Sequence, residues 1–348
     1  MTIGEAFAKG RNNFDLIRLF AAALVLFSHS YPITGNTEFF KSIIRYSTGG
    51  GLAVAVFFAI SGFLVTRSVL SHDIGKYVAS RCLRIFPALA AVAVFQVFLI
   101  GPMFTSLPLD EYFGNPRTAD HLMNATAFYL HYGLPGVFED LPNGSVNGSL
   151  WTLPLETFCY IVLPFLAVLG ALRIRSAWLI GGAVVVGYLV AVHYFGLNDW
   201  NKGPRIAKAV DTYSILRNGS FFAVGAMLWV YRERLPLSWG YWSLALVLAI
   251  IGFGSFVGTL GFVVAVSYGA ILIALRTPAV RLPGDVSYGL YLYAYPVQQS
   301  VVAVIGAGIG ATLLSAVALP IALCLACASW CYIEKPALEW RKRLMTAS

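Results

Sequence analysis

Ten stretches of this chain are candidates to cross a bilayer, and that repetition constrains the fold more than any other feature. They cover roughly residues 14–31, 50–70, 84–105, 150–171, 177–195, 216–231, 237–253, 256–275, 287–306 and 310–332. A helical span needs about 20 mostly apolar residues. Inside lipid every backbone polar group must be satisfied within the segment, which helices achieve. The expected fold is therefore all-α: a polytopic transmembrane helical protein of about ten spans. The seventh and eighth spans share the Gly-rich junction GFGSFVGTLG, so nine or eleven also fit. Composition agrees, with 58% hydrophobic and 11% charged residues and a mean hydropathy of +0.74. A soluble domain carries about 25% charged residues. The apolar excess runs along the whole chain, so one domain over residues 1–348 is expected, with no added soluble domain.

The net charge of +8 reads as a topology signal. With ten spans, both termini and alternate loops share one side. That side carries most of the cations, including Lys9, Arg11, Arg67, Lys76, Arg81, Arg84, Arg173, Arg234, Arg276 and Lys335. The opposite loops carry fewer, among them Lys41, Arg117, Lys202 and Lys208. The positive-inside rule then puts both termini in the cytoplasm. Nucleic acid is not an expected partner. Asp15 and Arg18 interrupt the first apolar stretch, so it is expected to stay as a helix rather than leave as a signal peptide. Cys324, Cys327 and Cys331 fall on one face of the last span, where small residues packing a helix interface are expected. No metal site is expected there.

The first span, FDLIRLFAAALVLFSHS, holds three residues that hydrocarbon disfavours: Asp15, Arg18 and His29. Each buried charge costs roughly 2.5–3.5 kcal/mol on insertion scales. Asp15 and Arg18 have the i,i+3 spacing of an ion pair. Arg18 and His29 are three helical turns apart, so they share a face and stand roughly 16 Å apart along the axis. A paired interface and a capping histidine would explain each residue separately. Three on one stripe point to a cavity or pathway. A transferase that draws one substrate from each side of the membrane would use such a stripe. So would a proton-coupled transporter or a lipid-glycan flippase.

Further polar residues sit in or beside spans. SRCLRIFP places Arg81 and Arg84 one turn apart at the start of the third span; guanidinium forks match phosphate oxygens, though ordinary cytoplasmic anchors look the same. NGSLWTLPLETF opens the fourth span with Trp151 and carries Glu156 roughly 9 Å in, a depth comparable to that of His29. Ser61 and Gly62 in VFFAISGFLVT read first as close helix packing, with the hydroxyl as a second use. Tyr288, Tyr291 and Tyr295 in SYGLYLYAYP recur at helical spacing, either as an interfacial belt or as a polar-tipped face toward a site. His72, His121, His131 and His193 lack the company that His29 has. No H-x-x-x-x-D, nucleophile elbow, Walker loop or H-E-x-x-H occurs, so those routes to acyl transfer, ATP hydrolysis and zinc proteolysis lose their signatures.

Taken in order, these motifs resemble the acyltransferase-3 family of bacterial integral-membrane O-acyltransferases, which includes O-antigen, exopolysaccharide and Nod-factor acetylases. The resemblance covers roughly residues 11–343. It rests on FDLIR with its D-x-x-R and R-x10-H spacing ending at His29, then FFAISGFL, RCLRIFP, LWTLPLE, SYGLYLYAYP and IEKP. It implies transfer of an acyl group, most often acetyl, from cytoplasmic acyl-CoA to a hydroxyl of a cell-surface carbohydrate or its lipid-linked precursor, at a bacterial inner membrane. It implies that His29, Arg18, Asp15 and Glu156 form the catalytic set and that Arg81 and Arg84 bind the donor. Ser61, Tyr288, Tyr291 and Trp151 are the candidate cavity residues. Acyl-CoA is a co-substrate, and no metal is implied. Many relatives have a histidine where this chain has Ala294.

Overall fold

The computed structural model describes residues 1–197, 205–207 and 210–346. Lys202 and Lys208, two of the charges used above, lie outside the described residues. Each apolar stretch forms a helix: α1 (Phe14–Ile33), α2 (Gly49–Ser71), α3 (Ile74–Phe95), α4 (Leu153–Val168), α5 (Ile174–His193), α6 (Thr212–Val230), α7 (Trp239–Ile251), α8 (Phe256–Arg276), α9 (Ser287–Ile305) and α10 (Ala311–Ser329). A π-turn at Gln96–Ile100 carries α3 on to Phe104, and a second at Trp330–Glu334 leads α10 into a final helix, Lys335–Thr346. Among the described residues, seven of these helical stretches are long and apolar enough to cross a membrane. The other three are α6, α7 and α9. With 13 residues, α7 reaches about 20 Å, short of a hydrocarbon core of about 30 Å. α6 and α9 have 19 residues each, but Arg217 and Asn218 dilute the first and Gln298 and Gln299 the second. The protein is a multi-pass all-α membrane protein. Its strands among the described residues form a short antiparallel ribbon, Arg205–Ala207 with Val210–Asp211.

Contacts divide the chain into two compact units. The first comprises Met1–Arg18, Leu52–Tyr77 and Leu155–Pro283; the second comprises Leu19–Gly51, Val78–Pro154 and Gly284–Ser348.

In the first unit, missing side chains let α2 and α6 approach backbone to backbone. A Cβ on Gly62 would overlap the carbonyl oxygen of Phe222, and one on Gly225 would overlap that of Ala59. This is the packing expected of small residues in membrane helices. Phe7, Phe63 and Trp229 cluster beside them with ring centroids 5.2–5.7 Å apart. The N-terminal helix Ile3–Ala8 is closed by a capping box between Thr2 and Glu5. Asn13 ties the start of α1 to the end of α8: its Nδ2 donates to Thr277 Oγ1 at 2.7 Å, and its Oδ1 accepts from Val280 N at 2.8 Å.

In the second unit, α9 and α10 pack together. The buried stripe of α10 is Leu314, Ser315, Ala318, Ala322, Ala326 and Ser329. Cys324, Cys327 and Cys331 are exposed instead, which corrects the interface expected for them. The alanines take the inward face, and the cysteines sit around the helix from it. The segment between α3 and α4 forms its own small core of Val97, Ile100, Tyr112, Leu134, Val137, Phe138 and Val146.

Candidate active site

His29 lies about four-fifths of the way along α1, in the second unit. Its ring meets that of Tyr295 edge-on, with centroids 5.2 Å apart and planes at 73°. Its Nδ1 is buried and accepts or donates no hydrogen bond, while the residue as a whole stays partly exposed. The backbone on either side is pinned. Gln298 Nε2 donates to Leu26 O at 2.7 Å and to Ser30 Oγ at 2.6 Å, and Ser315 Oγ donates to Ser30 Oγ at 2.7 Å. Thus α9 and α10 grip α1 one turn before and one residue after the histidine. Such partners matter more in lipid than in water, because a polar group there has few other places to go.

The three tyrosines of α9 have distinct uses. Tyr288 OH donates to Ile85 O at 3.2 Å. Tyr291 OH donates to Ser149 O at 2.6 Å and shares a 2.6 Å hydrogen bond with Thr152 Oγ1. Both hydroxyls therefore hold backbone in place: that of α3 in one case and that of the turn opening α4 in the other. Trp151, half-buried, sits on this turn. Tyr295 supplies its ring to His29, and Gly148 leaves room for it, since a Cβ there would stand 2.8 Å from the tyrosine ring. Ala294, the departure from the family pattern, is buried in the same turn of α9.

Arg81 and Arg84 lie on the first turns of α3, also in the second unit. Arg81 donates to Ser80 Oγ at 3.0 Å, and its Nε is buried without a hydrogen bond. Arg84 is ion-paired with Asp285 and, at 3.8 Å, with Glu334. Its guanidinium also stands 5.8 Å from the Tyr288 ring centroid.

The first unit holds the other candidates. Asp15 and Arg18 form an i,i+3 ion pair at 3.7 Å, half-exposed on the acid side. An exposed pair of this kind contributes little to stability, about 0–1 kcal/mol. Glu156, in the first turn of α4, accepts hydrogen bonds from Ser61 Oγ at 3.3 Å and from Tyr160 OH. Ser61 and Tyr160 are hydrogen-bonded to each other at 3.3 Å, and Tyr77 OH donates to Tyr160 O at 2.9 Å. Glu156 is thus a carboxylate with two hydroxyl donors from α2 and from its own helix.

Several of these residues were not among the sequence candidates. Gln298, Tyr160, Asp285 and Glu334 emerge only with the fold. A signal existed for Glu334, an acid inside an apolar stretch and part of the IEKP motif. Gln298 carried none, since one amide in a helix is common. No group of three or more His, Cys, Asp or Glu side chains placed to hold a metal occurs among the described residues.

Comparison with known proteins fits this arrangement of motifs. The acyltransferase domain model of the acyltransferase-3 family matches residues 11–333. An O-acetyl transferase of Shigella phage Sf6 is 30% identical over 332 residues, covering 93% of this chain and 95% of that protein. Nodulation protein 10 of Rhizobium leguminosarum bv. viciae is 31% identical, covering 96% of this chain and 95% of its own. No solved structure matches. A family match across nearly the whole chain, with full-length relatives on either side of it, settles the assignment: this chain belongs to the acyltransferase-3 family of membrane O-acyltransferases.

Proposed function

We propose that the protein moves an acetyl group from cytoplasmic acetyl-CoA to a hydroxyl of a cell-surface carbohydrate or its lipid-linked precursor, at a bacterial inner membrane with both termini inside. His29 carries this reading. It is an ionisable residue within a span, its ring is oriented by Tyr295, its backbone is clamped by Gln298, and its Nδ1 has no structural hydrogen bond to keep. A group held this firmly without a structural bond of its own suits proton transfer. The name of the phage relative, an O-acetyl transferase, supports the acyl group.

In this mechanism neutral His29 takes the proton from the acceptor hydroxyl as that oxygen attacks the thioester carbon. The C–O bond forms, the tetrahedral intermediate collapses, and the C–S bond breaks. The proton on His29 then passes to the departing CoA sulfur, so the enzyme ends as it began. General-base assistance of this kind is worth about 10²–10⁴-fold. The R-x-x-R turn of Arg81 and Arg84 anchors the phosphates of CoA through charge-assisted hydrogen bonds. Arg18, steadied by Asp15, serves the donor on the same helix as His29. Glu156, with Ser61 and Tyr160, serves the acceptor hydroxyl. Tyr288, Tyr291 and Trp151 support these groups.

Purified protein with labelled acetyl-CoA tests the donor. The label is expected to move to an added glycan acceptor, and CoA to raise the melting temperature in detergent, because a ligand that binds only the folded state stabilises it. Protein that ignores CoA in both assays contradicts the donor assignment.

A further inference from the structure

Two acids from distant parts of the sequence converge on Arg84. Its Nη2 donates to Asp285 Oδ2, and its Nη1 lies 3.8 Å from Glu334 Oε2. The second distance is an ion-pair contact without a hydrogen bond. Both acids are themselves fixed. Asp285 Oδ1 accepts from Ser287 N at 3.3 Å and from Ser287 Oγ at 2.5 Å. Glu334, 2% exposed, accepts from Ser329 Oγ at 3.1 Å. That bond spans five residues across the π-turn Trp330–Glu334, the local widening that turns Glu334 inward. Such π-bulges occur often at functional sites. Gly289 lets α9 lie against this region, since a Cβ there would stand 3.2 Å from Glu334 Oε1.

The guanidinium of Arg84 thus has an acid oxygen beside each of its two Nη atoms. A phosphate bound directly at Arg84 would have to stand beside the carboxylate of Asp285, a like-charge approach that disfavours it. Arg81 stands one helical turn away. The two arginines therefore cannot share one task equally.

We infer that Arg84 is a positioning residue. Held by Asp285 and Glu334, it fixes the register of the R-x-x-R turn against α9 and the π-turn, so that Arg81 meets the phosphates of the donor. The inference rests on the proposal that this turn anchors CoA, and it makes Asp285 and Glu334 part of the donor site although neither touches the donor.

The test is the affinity of detergent-solubilised, full-length protein for CoA, read below each variant's own melting temperature. Arg81→Gln is expected to weaken CoA at least tenfold. Asp285→Asn and Glu334→Gln are each expected to weaken it about three- to tenfold, although each removes an acid from the site. Asp285→Glu restores binding to within about twofold of wild type. The double variant Arg84→Gln/Asp285→Asn binds no worse than Arg84→Gln alone, since the second change removes a partner already lost. Tighter CoA binding by Asp285→Asn or Glu334→Gln would overturn the inference, because the acids would then be competing with phosphate for Arg84. Unchanged binding by both would overturn it too, leaving the triad a merely structural contact. Glu334→Gln, nearly isosteric, carries the test if Asp285→Asn does not survive extraction. Wild-type protein that fails to bind CoA would sink the donor reading and this inference together. Wild-type protein that binds, with Asp285→Asn tightening the complex, would sink this inference alone.

Discussion

The rings of His29 and Tyr295 meet edge-on, 5.2 Å between centroids. The contact uses the ring of the tyrosine rather than its hydroxyl. Tyr295→Phe is therefore expected to acylate within about threefold of wild type. Tyr295→Ala frees the imidazole to rotate, and a misplacement of about 1 Å at a catalytic group costs up to about 10²-fold. The acyl content of the product glycan distinguishes the two variants. Equal loss in both would mean that the hydroxyl matters and the edge contact does not.

The Gly62–Phe222 approach predicts a loss of stability rather than of chemistry. Gly62→Ala puts a methyl group against a carbonyl oxygen, and overpacking of this kind costs about 1–3 kcal/mol. The melting temperature in detergent should fall, and Gly62→Val should fall further. Ser61→Ala, one residue away, adds no atom at this contact and loses only the 3.3 Å hydroxyl bonds to Glu156 and Tyr160, about 1 kcal/mol, so its melting temperature should fall less than that of Gly62→Val. A Gly62→Ala protein as stable as wild type contradicts the backbone-to-backbone packing.

His121 predicts a pH dependence in the segment between α3 and α4. It is fully buried, its Nδ1 is 3.1 Å from Gly133 O, and its Nε2 is 2.8 Å from Gln96 Oε1. The ring that donates from Nδ1 has only a lone pair left at Nε2, so Gln96 must turn its NH₂ group toward it. That reversal also gives a partner to the Gln96 Nε2 that otherwise has none. Burial lowers the His121 pKa to about 4, and nearby His131 pushes the same way, against the bond to Gly133. The depressed value means that stability is complete above about pH 6.5 and is lost as pH falls toward 4, because the unfolded chain binds the proton first. The full loss is about 3 kcal/mol. The hydrogen-exchange protection of residues 96–147, taken relative to the intrinsic rate at each pH, should fall between pH 6.5 and 4 in wild type and show a flatter profile in His121→Gln. Identical profiles would contradict the assignment.

How much of this was legible in the sequence follows from which interactions are local. The ten helices were, because each is a run of apolar residues that needs no partner to be recognised. Asp15 with Arg18 was, because an i,i+3 pair is set by one helix. The Arg84 triad was not, since Asp285 and Glu334 lie 201 and 250 residues further along the sequence and meet Arg84 only when α3, α9 and the π-turn are assembled. The clamp by Gln298 was hidden for the same reason. The cysteines of α10 misled because periodicity places residues on one face without saying which face turns inward; Ala318, Ala322 and Ala326 took that place. Three of the helices looked like spans by composition alone, and their polar residues or their length set them apart once their ends were fixed.

Glu156 predicts a graded series. Tyr160→Phe removes one of its two hydroxyl donors, and a hydrogen bond to a charged group is worth about 1.5–3 kcal/mol. Glycan acylation should fall roughly tenfold or more in Tyr160→Phe, further in Glu156→Gln, and least in Ser61→Ala, whose bond is the longer one at 3.3 Å. The same order in acyl content, at equal protein level in the membrane, checks it. Full activity in Glu156→Gln removes the carboxylate from the reaction.

The most direct measurement is a mass spectrum of the cell-surface polysaccharide from cells carrying the wild-type gene, no gene, or the His29→Ala gene, with the variant shown to be present and folded in the membrane. The account predicts a gain of one acetyl mass per acceptor unit with the wild type only. Acetylation by His29→Ala at the wild-type level would contradict it.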